Sequence, residues 1–223
     1  MDEIYAIIPV SKFKNAKTRL SPFLNEQERE DILKAMLKDV TDALKECVDK
    51  IILISSDEDV LDYAHKLNID TLKENENSNL NKALHQAMDY CKDKVEKIVI
   101  TPSDIPLIGK TNINLLIEQG KTIDFMIIPS KGGGTNLLLI EPNAIPVKFG
   151  DFSFISHIKE ATEKEITPYI QDSFFIALDV NTTEDLGEIM VHGNNTETKN
   201  FLKSLNIKVE SIHGSNRLKV TRK

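Results

Sequence analysis

The sequence has 223 residues, with 28 Lys and Arg against 35 Asp and Glu and a formal net charge of −7. A chain of this size buries a core without covalent staples, and its acidity excludes a broad nucleic-acid-binding face while leaving room for a local basic pocket. Two cysteines without metal-type neighbours, acids where a signal peptide would carry lysines, and no apolar run near the roughly 20 residues of a membrane span read as a cytoplasmic protein with free thiols.

Strand-like and helical runs alternate along the chain. Residues 4–10, IYAIIPV, are a first strand. Residues 25–47 are a helix, with Asn25 as N-cap and Glu28 three residues on. Residues 50–55 form a second strand and 57–68 a short helix. Residues 79–93 are helical, with Leu80, Leu84, Ala87 and Met88 on one stripe. Residues 96–104, EKIVITPSD, read as a central strand. Two more strands, 125–130 and 135–142, flank a KGGG turn. A helix follows over 152–165, then a last core strand over 173–180, SFFIALDV. Residues 181–193 open a helix, TKNFLKSLN another, and the basic tail from His213 onward reads equally as strand, dimer arm or disorder.

This order predicts an α/β fold: one domain over 1–223 with a mixed, mainly parallel sheet and helices on both faces. Residues 194–223 are set apart as a candidate C-terminal extension. The strands near 4–10, 50–55 and 97–103 are continuous apolar runs, as positions covered on both sides require.

Open α/β sheets bind ligands at the carboxyl ends of their strands. Those ends offer Ser11 and Lys12, then Ser55 and Asp57, then Ser103 and Asp104, then Asp179 and Asn181. The first loop, PVSKFKNAKTRLSPFL, carries Lys12, Lys14, Lys17 and Arg19. Four cations in an acidic chain point to a phosphate chain as ligand, since Arg presents a planar fork and Lys a point charge. The plainer reading is a solvated basic loop. It is not a P-loop, because the glycine cradle is missing.

Asp104 and Asp179 each end an apolar run. Together they make a hard-oxygen site suited to Mg²⁺, with substrate phosphates completing the shell. Taken singly, each reads as well as a turn or helix cap. SKGGGTN brings glycines beside Thr135 and Asn136, which alone reads as a hairpin turn. FGDFSFISH places Gly150 and Ser153 before a helix whose free N–H groups suit a carboxylate or phosphate. His157, one turn inside, reads as a packed histidine rather than a catalytic one.

KTRLSP, NLNKAL, TPSDIPLI, GGGTNLLL, FGDFSFISHIKEA and DVNTTEDL follow one another in this order. In that set the chain resembles the archaeal 2-phospho-L-lactate guanylyltransferase family of coenzyme F-420 biosynthesis, over essentially its whole length. The resemblance implies a GT-A-like, Rossmann-like nucleotidyltransferase fold and a homodimer. It implies GTP and 2-phospho-L-lactate, or phosphoenolpyruvate, as substrates, with pyrophosphate released.

Carried over by motif, Asp104 and Asp179 hold Mg²⁺. Asp104, Lys17 and Arg19 are the catalytic set. Lys12, Lys17, Arg19, Asn81 and Ser103 bind the nucleotide, and Thr135, Gly150 and Ser153 bind the phosphoacid. One departure stands out: related enzymes carry a glycine-rich loop after the first strand, and here PVSKFKNAK has no glycine, so cationic side chains must do more of the phosphate binding. A phosphate nucleophile is already ionised and needs no general base. Two other readings stay open: a nucleotidyltransferase acting on a sugar phosphate or molybdenum cofactor, and a nucleotide-binding module without turnover.

Overall fold

A computed structural model describes residues 3–14, 16–212 and 218–222. The elements run β1 (Ile4–Pro9), α1 (Glu26–Leu44), β2 (Lys50–Ser55), α2 (Glu58–Lys66), β3 (Asp70–Lys73), α3 (Leu80–Cys91), β4 (Lys97–Ile100) and α4 (Lys110–Gly120). They continue with β5 (Phe125–Pro129), β6 (Thr135–Ile140), α5 (Ser153–Glu163), β7 (Tyr169–Ile170), α6 (Phe174–Ala177), α7 (Thr183–His192), α8 (Glu197–Ser204), β8 (Ile207–Ser211) and β9 (Leu218–Arg222). A short 3-10 turn, Thr18–Leu20, interrupts the first loop.

Seven strands form one sheet in the order β3-β2-β1-β4-β6-β5-β7. β1 pairs parallel with β2 and β4, whereas β6 runs antiparallel to both of its neighbours. The sheet is therefore mixed and mainly parallel, with helices on both faces. Alternate strand residues separate two cores. Ile8, Leu53, Val99 and Leu139 pack with Met36 and Val40 of α1 and Ile117 of α4. Ile7, Ile52, Ile100 and Leu138 pack with Leu84 and Met88 of α3 and Ala161 of α5.

Asn25 caps α1 in a capping box with Glu28, so the expected signal is the one used. No helix among the described residues is long and apolar enough to cross a membrane. Residues 173–180 correct the sequence reading. They are not a strand: Ser173 caps the single-turn α6, and 178–180 run on as irregular chain. A short apolar run carries no period long enough to separate strand from helix, and here the serine cap decides.

The tail takes the strand reading over Leu218–Arg222, where β9 pairs antiparallel with β8. Residues 213–217 and 223 of the tail lie outside the described residues. The hairpin sits on α7, where a Cβ at Gly187 would fall 2.9 Å from Val220. Arg222 grips Glu28 of α1 through two hydrogen bonds of 2.9 and 2.5 Å.

Candidate active site

The loops after β1 and β4 and the chain entering α7 meet around a cleft of about 510 Å³. Lys12, Lys17, Arg19, Ser103, Asp104 and Asn181 line it, with Leu80 and Phe149 on the apolar side. Its volume falls in the usual range for small-ligand sites. Lys12 and Arg19 are exposed on its wall. Lys14 points elsewhere, into a separate groove with Phe13 and Asp59, so three of the four loop cations serve the cleft.

Lys17 is the knot of the site. Its ammonium donates to Asp104 Oδ2 at 2.5 Å and to Asn181 Oδ1 at 3.1 Å. The Asn181 amide in turn donates to Asp179 Oδ2. The main chain repeats the link, because Val180 N–H donates to the Asp104 carbonyl at 2.9 Å. The two acids, far apart in sequence, are thus joined through one lysine and one asparagine. Burial pushes the Asp179 carboxyl above its usual range, and the Asp104 charge adds to the push, while Asn136 and Lys17 oppose it.

The loop that delivers Lys17 is held from outside the cleft. Lys17 has φ 49 and ψ 42, a left-handed conformation that glycine adopts without a Cβ clash. Its carbonyl accepts from Leu20 N–H at 2.9 Å, and Leu20 is fully buried. Arg29, in the second turn of α1, donates to the carbonyls of Ala16 at 3.1 Å and Leu24 at 3.0 Å. One guanidinium therefore staples both ends of the loop. Nothing in the sequence pattern marked Arg29, because its partners are backbone carbonyls that only the folded loop brings together.

The chemistry of the donor set fits a hard divalent cation. Asp104 and Asp179 offer carboxylate oxygens and Asn181 an amide oxygen beside them. Among the described residues no group of three or more His, Cys, Asp or Glu side chains converges. A cation here would take its remaining ligands from phosphate oxygens and water.

The residues expected at a small-acid site sit together beside the cleft. β6 carries a register shift opposite Ile128 and Pro129, which places Asn136 as an extra residue. Such a bulge re-aims its side chains. Thr135 turns toward α5, where its Oγ1 lies 2.9 Å from His157 Nδ1 and accepts from Ser153 Oγ at 3.3 Å. Asn136 turns to the other side, donating to the Ile176 carbonyl at 2.8 Å and meeting Asp179. Gly150 is exposed with φ 142, and a Cβ there would meet nothing within 4 Å.

Asn81, expected to contact the nucleoside, is bonded to the chain at the cleft's edge. Its amide accepts from Phe149 N–H at 2.7 Å and donates to the Phe149 carbonyl at 3.0 Å. It fixes Phe149, which together with Leu80 forms the apolar wall. Asn181 was visible in the sequence only as a strand-end residue, and its bridging role emerges from the fold. His157 is a packed histidine, as read: it is fully buried and its Nε2 accepts from Lys148 N–H at 3.0 Å.

A family model described as "Guanylyl transferase CofC like" matches residues 4–223. The chain belongs to that family. A 2-phospho-L-lactate guanylyltransferase of Methanobrevibacter smithii is 66% identical over 222 residues, covering 100% of this chain and 99% of that protein. Among solved structures, a nucleotidyl transferase from Methanothermobacter superposes with a TM-score of 0.61 at 12% identity, over 92% of this chain and 100% of that one. A Mycobacterium tuberculosis protein in complex with manganese superposes with a TM-score of 0.57 at 16% identity, over 85% and 98%. At such identities the likeness is one of fold. Within the CofC-like family, this chain is a nucleotidyltransferase-fold member whose cleft is lined by Asp104, Asn181 and a cationic first loop, with Asp179 held behind Asn181.

Proposed function

We propose that the protein condenses GTP with 2-phospho-L-lactate, giving lactyl-2-diphospho-5′-guanosine and pyrophosphate. The observation that carries this reading is the Lys17–Asp104–Asn181–Asp179 knot at the floor of a cleft walled by Lys12 and Arg19. Relatives named for this reaction, at up to 66% identity over the full chain, support it. A phosphate oxygen of the small acid bonds to the α-phosphorus of GTP. The bond from that phosphorus to the bridging oxygen of the β-phosphate breaks, and pyrophosphate leaves with the electron pair.

Both reactants are anions, so the work of the site is electrostatic. Lys17 and Arg19 hold the triphosphate and stabilise charge growing on the leaving pyrophosphate. Lys12 and Ser103 widen the nucleotide contact, and Leu80 and Phe149 cover its apolar side. Thr135, Ser153 and the backbone at Gly150 bind the small acid. Asp104 and Asp179 hold the divalent cation, Mg²⁺ in this reading. When bound, it supplies neutralisation of the reacting phosphate oxygens. The chain acts as one domain, in the cytoplasm, as a homodimer, with phosphoenolpyruvate as the competing acceptor.

Pyrophosphate release tests the reading directly, with GTP or ATP offered against phospholactate, phosphoenolpyruvate and a sugar phosphate. Release with GTP and phospholactate is expected. Release with a sugar phosphate alone overturns it.

A further inference from the structure

His157 takes no part in the chemistry above, yet it is fully buried between the two halves of the small-acid site. Its two ring nitrogens face partners of different kinds. Nε2 lies 3.0 Å from the backbone N–H of Lys148, which can only donate. A neutral ring must therefore carry its proton on Nδ1. Nδ1 lies 2.9 Å from Thr135 Oγ1, so the ring donates to that hydroxyl.

The hydrogen count then decides what the hydroxyls can do. Thr135 and Ser153 bring two hydroxyl hydrogens, and their mutual bond of 3.3 Å uses one. With His157 donating, the other is not taken by these three side chains and remains for a further acceptor. With the opposite tautomer, Thr135 would donate to the ring and Ser153 to Thr135, and no hydrogen would remain for a ligand. An anionic oxygen needs a donor. The amide of Lys148 thus sets, through His157, the polarity of the hydroxyl pair.

We propose that His157 is a positioning residue of the small-acid site, held as the Nδ1–H tautomer by the Lys148 amide so that the Thr135–Ser153 pair presents a donor to a carboxylate or phosphate oxygen. The same ring anchors the loop before Gly150, because Lys148 and Phe149 both meet it, the latter edge-on at 4.8 Å between ring centroids. This inference rests on Thr135 and Ser153 binding the acid.

Three variants of the full-length protein separate the possibilities. In His157→Asn the amide nitrogen stands near Nδ1 and still donates to Thr135. In His157→Gln the amide oxygen stands near Nε2, keeps Lys148, and leaves Thr135 without its donor. Thr135→Val removes the hydroxyl. KM for phospholactate is expected to rise about 10- to 100-fold in the valine and glutamine variants and to change roughly threefold or less in the asparagine variant. KM for GTP stays near wild type in all three.

If Thr135→Val leaves the acid KM unchanged, the acid assignment falls and takes this inference with it. If Thr135→Val raises that KM but the asparagine and glutamine variants behave alike, the inference alone is overturned. A measurement on the unaltered protein stands beside these. Nitrogen NMR of histidine-labelled protein is expected to show His157 protonated at Nδ1 only, and a proton on Nε2 would overturn the proposal.

Discussion

The Lys17 ammonium lies 2.5 Å from the Asp104 carboxylate, across 87 residues of sequence, with side chains only 12% and 21% exposed. Lys17 simultaneously reaches Asn181, which holds Asp179. One lysine therefore ties together the two acids, Asp104 directly and Asp179 through Asn181.

Replacing Asp104 by Asn keeps the shape and removes one of the two charges. Pyrophosphate release is expected to fall by about a hundredfold or more, while the thermal melting curve stays cooperative. A near-normal rate would remove Asp104 from the reacting centre.

Lys17 combines the charge that bonds Asp104 with an unfavourable backbone conformation, and two substitutions separate them. Lys17→Ala and Lys17→Gly both delete the ammonium and should be equally inactive. Because glycine accepts φ 49 without a Cβ clash, the glycine variant should be more stable than the alanine variant by about 1 kcal/mol. Equal unfolding midpoints would show that the left-handed backbone at 17 costs nothing.

Arg29 staples Ala16 to Leu24 from outside the cleft. Arg29→Ala should destabilise the fold by about 1.5–3 kcal/mol, the range for hydrogen bonds to a charged group. It should also raise KM for GTP more than KM for the small acid. Equal effects on both constants would deny Arg29 its role in presenting Lys17. Arg29→Lys keeps the charge but not the fork, and should recover only part of the loss.

Burial lowers the His157 pKa from 6.5 to about 4. The unfolded chain takes up a proton as pH falls below about 6.5, and the folded chain resists until about 4. The stability this ring contributes is therefore complete above pH 6.5 and lost on acidification through that window. The loss approaches about 3 kcal/mol. Urea unfolding at several pH values, with His157→Gln as reference, measures it. A wild-type-to-variant difference that does not change with pH contradicts the burial argument.

The parts of this molecule legible in its sequence share a cause. The continuous apolar strands, the capping box at Asn25 and the acid in the loop after β4 are each written in neighbouring residues. Helix α4 was not foreseen: it begins after Gly109, which offers no side-chain cap, and its first turn is polar. β3 and β7, four and two residues long, are too short to show a period. The run 173–180 was misread as a strand, yet its consequence survived, because either conformation delivers Asp179 beside Asp104. Arg29 escaped the sequence reading, and Asn81 was singled out there for a different partner. Both spend their side-chain hydrogen bonds on loop backbone that only the fold brings within reach, and no local pattern encodes such a partner.

The clasp between Glu28 and Arg222 has a consequence for synthesis. The two residues are 194 positions apart, so at about 5–20 residues per second a ribosome needs roughly 10–40 s to bring the second after the first. Throughout that interval the first helix carries a partly covered carboxylate with its guanidinium still unmade. The nascent chain can lay down its central strands and pack that helix on them early, but the ion pair at the helix start closes only when the final hairpin arrives.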